Sequence, residues 1–137
     1  MEWKSKVNVE FKIYGHDIVV NEINDILKIK PTKAANKDDQ NNFMMTKNKI
    51  GYWIIETGYE ISYDSIIQIE KIIKKLLSKK NKLKTIKEKW NCEYYFCLVV
   101  NVYDNNLPAL YLTSDSIKFI GDIGASYDID LYNYTEC

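Results

Sequence analysis

The last quarter of the chain constrains its fold most, because it predicts a strand, a short helix and a returning strand in quick succession. Leu110 and Leu112 suggest the first strand, residues 116–123 the helix, and Gly124 the point where the helix stops. Residues 125–132 then alternate, a pattern typical of a half-buried strand. Its faces carry Tyr127, Ile129 and Leu131 on one side and Asp128, Asp130 and Tyr132 on the other. This segment indicates a kind of fold, but it contains no reaction centre.

The first strand and helix are predicted by periodicity. Residues 7–14 alternate between apolar and polar side chains, and the polar positions are Asn8, Glu10, Lys12 and Tyr14. Gly15 ends this strand. Asp17 is in position to cap the helix that follows, and Pro31 limits its length.

Further elements fill the middle of the chain. Residues 51–61 predict a second strand, and a long amphipathic helix follows from Ser62 or Asp64. This helix is expected to break near residues 78–81 and then to resume. Residues 93–103 are apolar on both faces, which is typical of a central strand.

The predicted order is therefore β-α-β-α(α)-β-β-α-β in one domain that covers residues 1–137. Residues 32–49 are polar, rich in Asn, Asp and Lys, and without period, so we expect a mobile loop within the domain. Helices on one face of a sheet are the natural packing for this order. The fold class predicted is α+β: a mainly antiparallel sheet of about five strands with helices packed on one face, in ferredoxin-like style.

Composition excludes several partners. The formal net charge is zero, and all nineteen basic residues are lysine, so neither an overall field nor an arginine fork attracts phosphate. Residues 71–89 hold nine lysines, while the chain from residue 91 onward holds seven acids and one lysine. A lysine-rich helix on an acidic sheet end is one economical arrangement. Nucleic acid is therefore an unlikely partner, although the lysine run, with Trp90 and Tyr94 for stacking, is its one candidate site.

The location of the protein follows from its termini and its cysteines. Its first residues carry no apolar signal region, and no apolar run is long enough to span a bilayer, so we expect a cytoplasmic protein without membrane contact. Cys92, Cys97 and Cys137 are odd in number and lack metal-ligand spacing. Cys97 lies in an apolar run and is predicted to be a buried thiol.

Several segments resemble a bacterial family catalogued as domain of unknown function 4279. They are Tyr14-Gly15, residues 27–32, Gly51-Tyr52-Trp53, the long Ile/Leu-Lys helix and, above all, residues 120–132 with their Gly-Ala-Ser-Tyr-Asp-Ile-Asp-Leu-Tyr ending. The likeness covers nearly the whole chain apart from residues 32–49. It implies the fold and a bacterial setting, and it transfers no catalytic residue. Relatives tend to carry arginine near the Pro-Thr turn, where this chain has Lys33, which argues against an anion site there.

The acids of the last strand are the candidate binding residues. Asp128 and Asp130 project from one strand face ~7 Å apart, and Asp104 and Asp122 are further acids that could lie nearby. Such carboxylates suit a hard cation, but a solvated edge or a pairing with the lysine helix is the favoured explanation, and no metal site is predicted. Tyr132 and Tyr134 follow on the same side. Tyrosines beside carboxylates suit protein recognition, and ordinary sheet packing explains them equally.

No catalytic residues are predicted. His16 is the only histidine, and Asp17 beside it does not complete a triad. We therefore expect a non-enzymatic protein-binding module without a cofactor, for example an inhibitor of the immunity type. The alternative is a small-molecule or metal-binding regulatory domain whose ligand lies between the sheet and residues 32–49. A third reading, an enzyme that uses the carboxylates, requires them to line a closed pocket.

Overall fold

The computed structural model describes residues 3–41, 46–47 and 50–134. Its strands are β1 (Lys6–Gly15), β2 (Lys33–Ala35), β3 (Gln40–Asn41), β4 (Thr46–Lys47), β5 (Gly51–Glu56), β6 (Glu60–Ile61), β7 (Glu93–Tyr103) and β8 (Ala125–Tyr134). Its helices are α1 (Val20–Leu27), α2 (Ile66–Leu76), α3 (Lys80–Trp90) and α4 (Ser114–Asp122), with a 3₁₀ turn (Leu77–Lys79) between α2 and α3.

The main sheet has the strand order β2-β5-β1-β7-β8, and the short β6 also pairs with β1. Every pair in it is antiparallel except β7 and β8, which run parallel and are connected through α4. A parallel pair needs such a crossover, since its strands cannot be joined by a tight turn. The predicted α+β class, with a mainly antiparallel sheet, is confirmed. The strands β3 and β4 form a separate pair.

All four helices pack on one face of the sheet. The apolar positions of β1 are fully buried on this side: Val7, Val9, Phe11 and Ile13. They join a single core with apolar residues of every helix, among them Ile23, Ile69, Leu83 and Phe119. Each large side chain so buried stabilises the fold by roughly 1.5–3 kcal/mol relative to exposure. The alternation in the sequence therefore assigns the two faces of β1 correctly.

The predicted strand at Leu110 and Leu112 is wrong. Residues 104–113 form an irregular connection, with an isolated bridge between Asp64 and Ala109. The amide of Ala109 donates to the carbonyl oxygen of Tyr63 at 2.9 Å, and the Ala109 carbonyl accepts from Ser65 at 3.1 Å. Pro108 has no N–H to donate, so it contributes no ladder bond of its own, and Ala109 is bonded to the residues before α2 instead.

The predicted cap of α1 by Asp17 is also wrong. The helix begins at Val20, whose amide donates to Oδ1 of Asn36 at 2.9 Å. Asn36 follows β2, so a residue distant in sequence provides the cap, and no local pattern predicts it. The segment 32–49 predicted as a loop thus contributes an edge strand and the pair β3–β4, although residues 42–45 and 48–49 lie outside the described part. Its mobility stays a prediction.

Candidate binding surface

The side of the main sheet that faces away from the helices is covered by no helix of the described residues. We call it the open face. Because side chains alternate across a strand, it consists of the even-numbered positions of β1, β5 and β8 and the odd-numbered positions of β7. The residues of this face that matter below are Glu10, Lys12 and Tyr14 of β1, Tyr95 and Cys97 of β7, and Asp128 and Asp130 of the edge strand β8.

Strand pairing arranges these side chains in rows across the sheet. Glu56 is opposite Glu10, Glu10 is opposite Cys97, and Cys97 is level with Asp128. One row therefore carries three carboxylates and a thiol. The next row carries Lys12 opposite Tyr95. An ammonium group thus lies beside a line of acids.

A shallow depression of about 240 Å³ lies among these rows. The side chains that line it are Lys12, Tyr14, Tyr95, Cys97, Asp128 and Asp130. The Nζ of Lys12 is 3.7 Å from Oε1 of Glu10. Partial burial lowers the pKa of Lys12, but the charge of Glu10 and the phenol of Tyr14 outweigh it, so that its pKa is raised. Lys12 is therefore a permanent cation within an acidic surface.

Cys97 is the buried residue among those that line this depression. Its Sγ is 3.6 Å from Oδ2 of Asp130. Burial, and then the charge of Asp130, raise the pKa of Cys97 to about 11. The thiol stays protonated at neutral pH, whereas a nucleophilic cysteine needs its thiolate. Cys97 is accordingly a packing and hydrogen-bonding group, and the predicted buried thiol is confirmed.

Aromatic rings cover the other end of the open face. The ring of Tyr103 stacks between Trp3, at 5.6 Å, and Tyr134, at 4.9 Å between centroids. Tyr59 is near Glu10, Tyr132 and Tyr134, and its pKa is raised first by partial burial and then by the nearby carboxylate of Glu10. Tyr132 and Tyr134 are exposed, at 50% and 44% of their surface. This end offers large rings that are accessible to a partner.

The structure brings four of the five predicted binding residues together. Asp128, Asp130, Tyr132 and Tyr134 follow one another on the open face of β8, and all four are exposed. Asp104 is not on this strand face, because it lies in the turn after β7 with a φ of 54°. It follows Tyr103, which is level with Tyr134, so it lies just past the end of the paired strands.

Asp122 is also separate, on the helix side of the molecule. Its Oδ2 is 2.8 Å from the Nζ atoms of both Lys80 and Lys118. Hydrogen bonds from Lys118 and Lys80 lower the pKa of Asp122 to about 2. The lysine-rich segment thus meets the acidic third of the chain at the start of β8, where Lys87 also donates to the carbonyl of Gly124 at 2.6 Å. No ion pair found in the described residues joins it to Asp128 or Asp130.

The open face carries an excess of negative charge. Its strand positions hold five carboxylates and three ammonium groups, which are Glu10, Glu56, Glu93, Asp128 and Asp130 against Lys6, Lys12 and Lys33. Glu93, Asp128 and Asp130 are the exposed acids among them, and the last two lie on the edge strand β8. A positively charged surface is therefore the complement that this face would attract.

The sequence alone did not assign the β1 and β7 residues of this surface. Glu10, Lys12 and Tyr14 were identifiable as the polar side of β1, but nothing local showed that β7 lies beside that side. Tyr95 and Cys97 belong to a strand that is apolar on both faces, so periodicity gives no face for them. Only the register of β1 with β7 and of β7 with β8 joins the two sets.

Other chemistry finds little support in the described residues. They contain no group of three His, Cys, Asp or Glu side chains placed to hold a metal ion. His16 is exposed in the turn after β1. None of the helices that the structure describes is both long and apolar enough to cross a membrane.

Comparison with known proteins gives the family. No curated protein matches the chain, and no solved structure does. A family model, described as a domain of unknown function (DUF4279), matches residues 5–134. That match includes every strand of the main sheet and all four helices. The chain belongs to the DUF4279 family.

Proposed function

We propose that the protein is a non-enzymatic binding module whose open face engages another protein. The observation that carries this proposal is the row of exposed acids and tyrosines on β8, on the sheet face that the helices leave uncovered. Tyrosine supplies a large contact area at a low cost in side-chain entropy. Carboxylates beside it steer an oppositely charged partner during association.

The partner suited to this surface is a protein with a basic patch. The acids nearest the β8 edge, Asp128 and Asp130, are exposed and would meet its lysines or arginines, while Tyr132 and Tyr134 would pack on its apolar groups. An inhibitor of the immunity type that blocks a basic toxin is one role of this kind, by analogy with the surface rather than with the fold. Its expected setting is a bacterial cytoplasm, where thiols such as Cys92 and Cys97 stay reduced.

The proposal is tested by capture with a matched pair of variants. Tagged wild-type protein, Asp128→Asn/Asp130→Asn and Glu70→Gln/Asp115→Asn are incubated with lysate of the source organism, and bound proteins are quantified by mass spectrometry. Both variants lose two exposed acids, but Glu70 and Asp115 lie on helices α2 and α4. One stoichiometric protein is expected with the wild type and with the helix control.

The affinity of that protein is then measured for each variant. Because an exposed ion pair contributes roughly 0.2–1 kcal/mol, the open-face variant should bind about two- to thirtyfold more weakly. The difference should shrink as salt is added. Equal binding by the two double variants, or the absence of any stoichiometric partner, contradicts the proposal.

A small-molecule regulatory domain is the second candidate, and the depression beside Lys12 favours it. A cation and two carboxylates around about 240 Å³ suit a small zwitterion. The sequence predicts a ligand between the sheet and residues 32–49, whereas this depression lies on β1, β7 and β8, and β5 separates β1 from β2. A metabolite or metal that raises the melting temperature of the wild type, and not of Lys12→Met, would support this candidate over a protein partner.

A further inference from the structure

Strand β8 is an edge strand of the main sheet, and one side of its backbone has no partner strand among the described residues. Its ten residues pair with β7 from Ala125 to Tyr134, and no described strand pairs with its other side. Edge strands are commonly protected by charged side chains, above all lysine, or by proline, bulges or short length. This strand is long, contains no lysine or proline, and carries only Asp128 and Asp130 as charges. Its backbone is therefore an available template for another strand.

The helix side of β8 is apolar and uncovered in its second half. Ile129 and Leu131 are level with Leu98 and Val100 of β7, which are fully buried. Yet Ile129 and Leu131 remain 46% and 53% exposed. The apolar face of the sheet thus continues to its β8 edge, beyond the area that the helices cover. A contact along this edge would bury apolar surface as well as satisfy backbone groups.

The acids of β8 restrict how a second copy of the strand could pair with it. In an antiparallel pair, residues that lie opposite each other are on the same face of the joined sheet. In a symmetric pair, the two-fold axis therefore passes between the two copies of one residue, which lie opposite each other. If the axis lies at Asp130, the two Asp130 side chains are directly opposite each other. If it lies at Ile129, Asp128 of each copy is opposite Asp130 of the other. Like charges directly opposite destabilise a strand pair. Both registers are therefore disfavoured.

An axis at Leu131 removes this conflict. Asp130 then lies opposite Tyr132 of the second copy, and Asp128 lies opposite Tyr134, so each carboxylate can accept a phenol hydrogen bond. The two Leu131 side chains meet on the helix side. Residues 128–134 all find partners within the described strand, whereas an axis at Tyr132 pairs only residues 130–134 of that described strand. The pattern of Asp and Tyr along β8 thus fits a copy of itself in this one register better than in its neighbours.

We propose that two copies of the chain associate through antiparallel pairing of β8, symmetric about Leu131. The two main sheets then become continuous, and the two open faces join into one surface. This goes beyond the proposed function, because it requires no other protein. A seven-residue strand contact is at the small end of specific interfaces, so dissociation on the order of micromolar is expected.

Sedimentation of the purified protein tests the association. The wild type should shift from monomer to dimer between roughly 1 and 300 μM, as that affinity requires. Leu131→Lys places two ammonium groups at the axis and should weaken the dimer more than tenfold. Ile67→Lys is the control, since Ile67 on α2 is equally exposed at 53%. Circular dichroism and the melting temperature establish that both variants are folded.

A disulfide test then checks the register, in a chain that also carries Cys137→Ser. Leu131→Cys should form a covalent dimer under mild oxidation. Ile129→Cys should not, because residue 129 lies opposite residue 133 and the two thiols are about 13 Å apart along the strand. A wild type that stays monomeric at 300 μM, a dimer unaffected by Leu131→Lys, or equal cross-linking at both positions overturns the proposal. Since no partner is present, these results are independent of the capture experiment.

Discussion

The two faces of the main sheet differ in how deeply their side chains are buried, although the same strands form both faces. In β1, the side chains toward the helices are all fully buried, while Glu10, Lys12 and Tyr14 on the other side stay partly exposed. One residue step thus separates core from surface. The comparison teaches that strand register decides which side chains reach the open face, since a slip of one residue would exchange the two sets.

The open face itself is uneven. Its centre is well covered, because Asn8, Ile54, Cys97 and Val99 are each at most 7% exposed. Its edge at β8 is accessible throughout from Asp128 to Tyr134. The centre therefore supports the shape of the sheet, and recognition is assigned to the edge.

The largest expected difference between the faces concerns two adjacent residues of β7. Phe96 is fully buried with its ring 5.2 Å from that of Phe11, while Tyr95 lies on the open face with its ring tilted against that of Tyr14, 5.7 Å between centroids. Phe96→Ala should lower the free energy of unfolding by about 3–5 kcal/mol, because it leaves a cavity in the core. Tyr95→Ala should cost less than about 1.5 kcal/mol, since a ring contact of this kind is worth no more.

Urea unfolding of the two variants measures this difference. The denaturant slope of each variant should match that of the wild type, which establishes that both unfold in the same way. Equal losses of stability would mean that the open face is packed as tightly as the core, and would break the comparison.

A smaller effect is expected at the start of β8, where the register of the strand is set. Gly124 has a φ of +70°, which side-chain-bearing residues rarely adopt, and an added Cβ would lie 2.8 Å from Nζ of Lys87. Gly124→Ala should therefore lose about 1–2 kcal/mol of stability. Gly121 in α4 has open space around its Cα. Gly121→Ala should gain about 0.5–1 kcal/mol, because alanine favours a helix over glycine.

Thermal unfolding of the two alanine variants provides the check. A higher melting temperature for Gly121→Ala and a lower one for Gly124→Ala is the predicted order. The reverse order would contradict the assigned helix end and, with it, the assignment of the β8 side chains to the two faces.

The smallest effect concerns acids on the two sides of the sheet. Asp122, on the helix side, has its pKa lowered to about 2 from an ordinary 3.8 by Lys118 and Lys80. A lowered pKa contributes stability above the unfolded value, and this contribution is lost as the pH falls through the folded value. Asp122→Asn should thus lower the melting temperature slightly at pH 7, and the difference should disappear between about pH 4 and pH 2.

Asp128→Asn is the companion variant, because Asp128 has no ion pair among those found in the described residues. Its melting temperature should match that of the wild type at pH 7. A larger loss for Asp128→Asn than for Asp122→Asn would show that the open-face acids stabilise the fold.

Local patterns in the sequence predict much of this fold. Alternation in residues 7–14 predicts β1 and its two faces. The apolar run of residues 93–103 predicts β7, and the glycine at position 124 predicts the end of α4. The errors lie where distant contacts decide. Asn36 rather than Asp17 caps α1, and Ala109 bonds to Tyr63 and Ser65 just before α2 instead of belonging to a regular strand. The parallel pairing of β7 with β8 depends on the crossover through α4, which no short pattern specifies.

The candidate surface was predicted only in part, for the same reason. The acids and tyrosines of β8 share a face by simple alternation, so the sequence groups them. Lys12, Tyr95 and Cys97 join them through two strand registers, and Asp104 is lost because the chain turns away after Tyr103. The sequence groups residues that are neighbours along one strand. It does not identify residues from distant parts of the chain that strand pairing brings together.

Tyrosine footprinting tests the division between the two faces most directly. Tyr59, Tyr132 and Tyr134 on the open face and Tyr63 and Tyr111 outside the sheet are similarly exposed, between 44% and 53%. They are labelled at one protein concentration with and without the captured partner, and modification is read by mass spectrometry. Protection of the three open-face tyrosines, with Tyr63 and Tyr111 unchanged, is the predicted result. Protection of Tyr63 and Tyr111 alone would contradict the assignment of recognition to the open face.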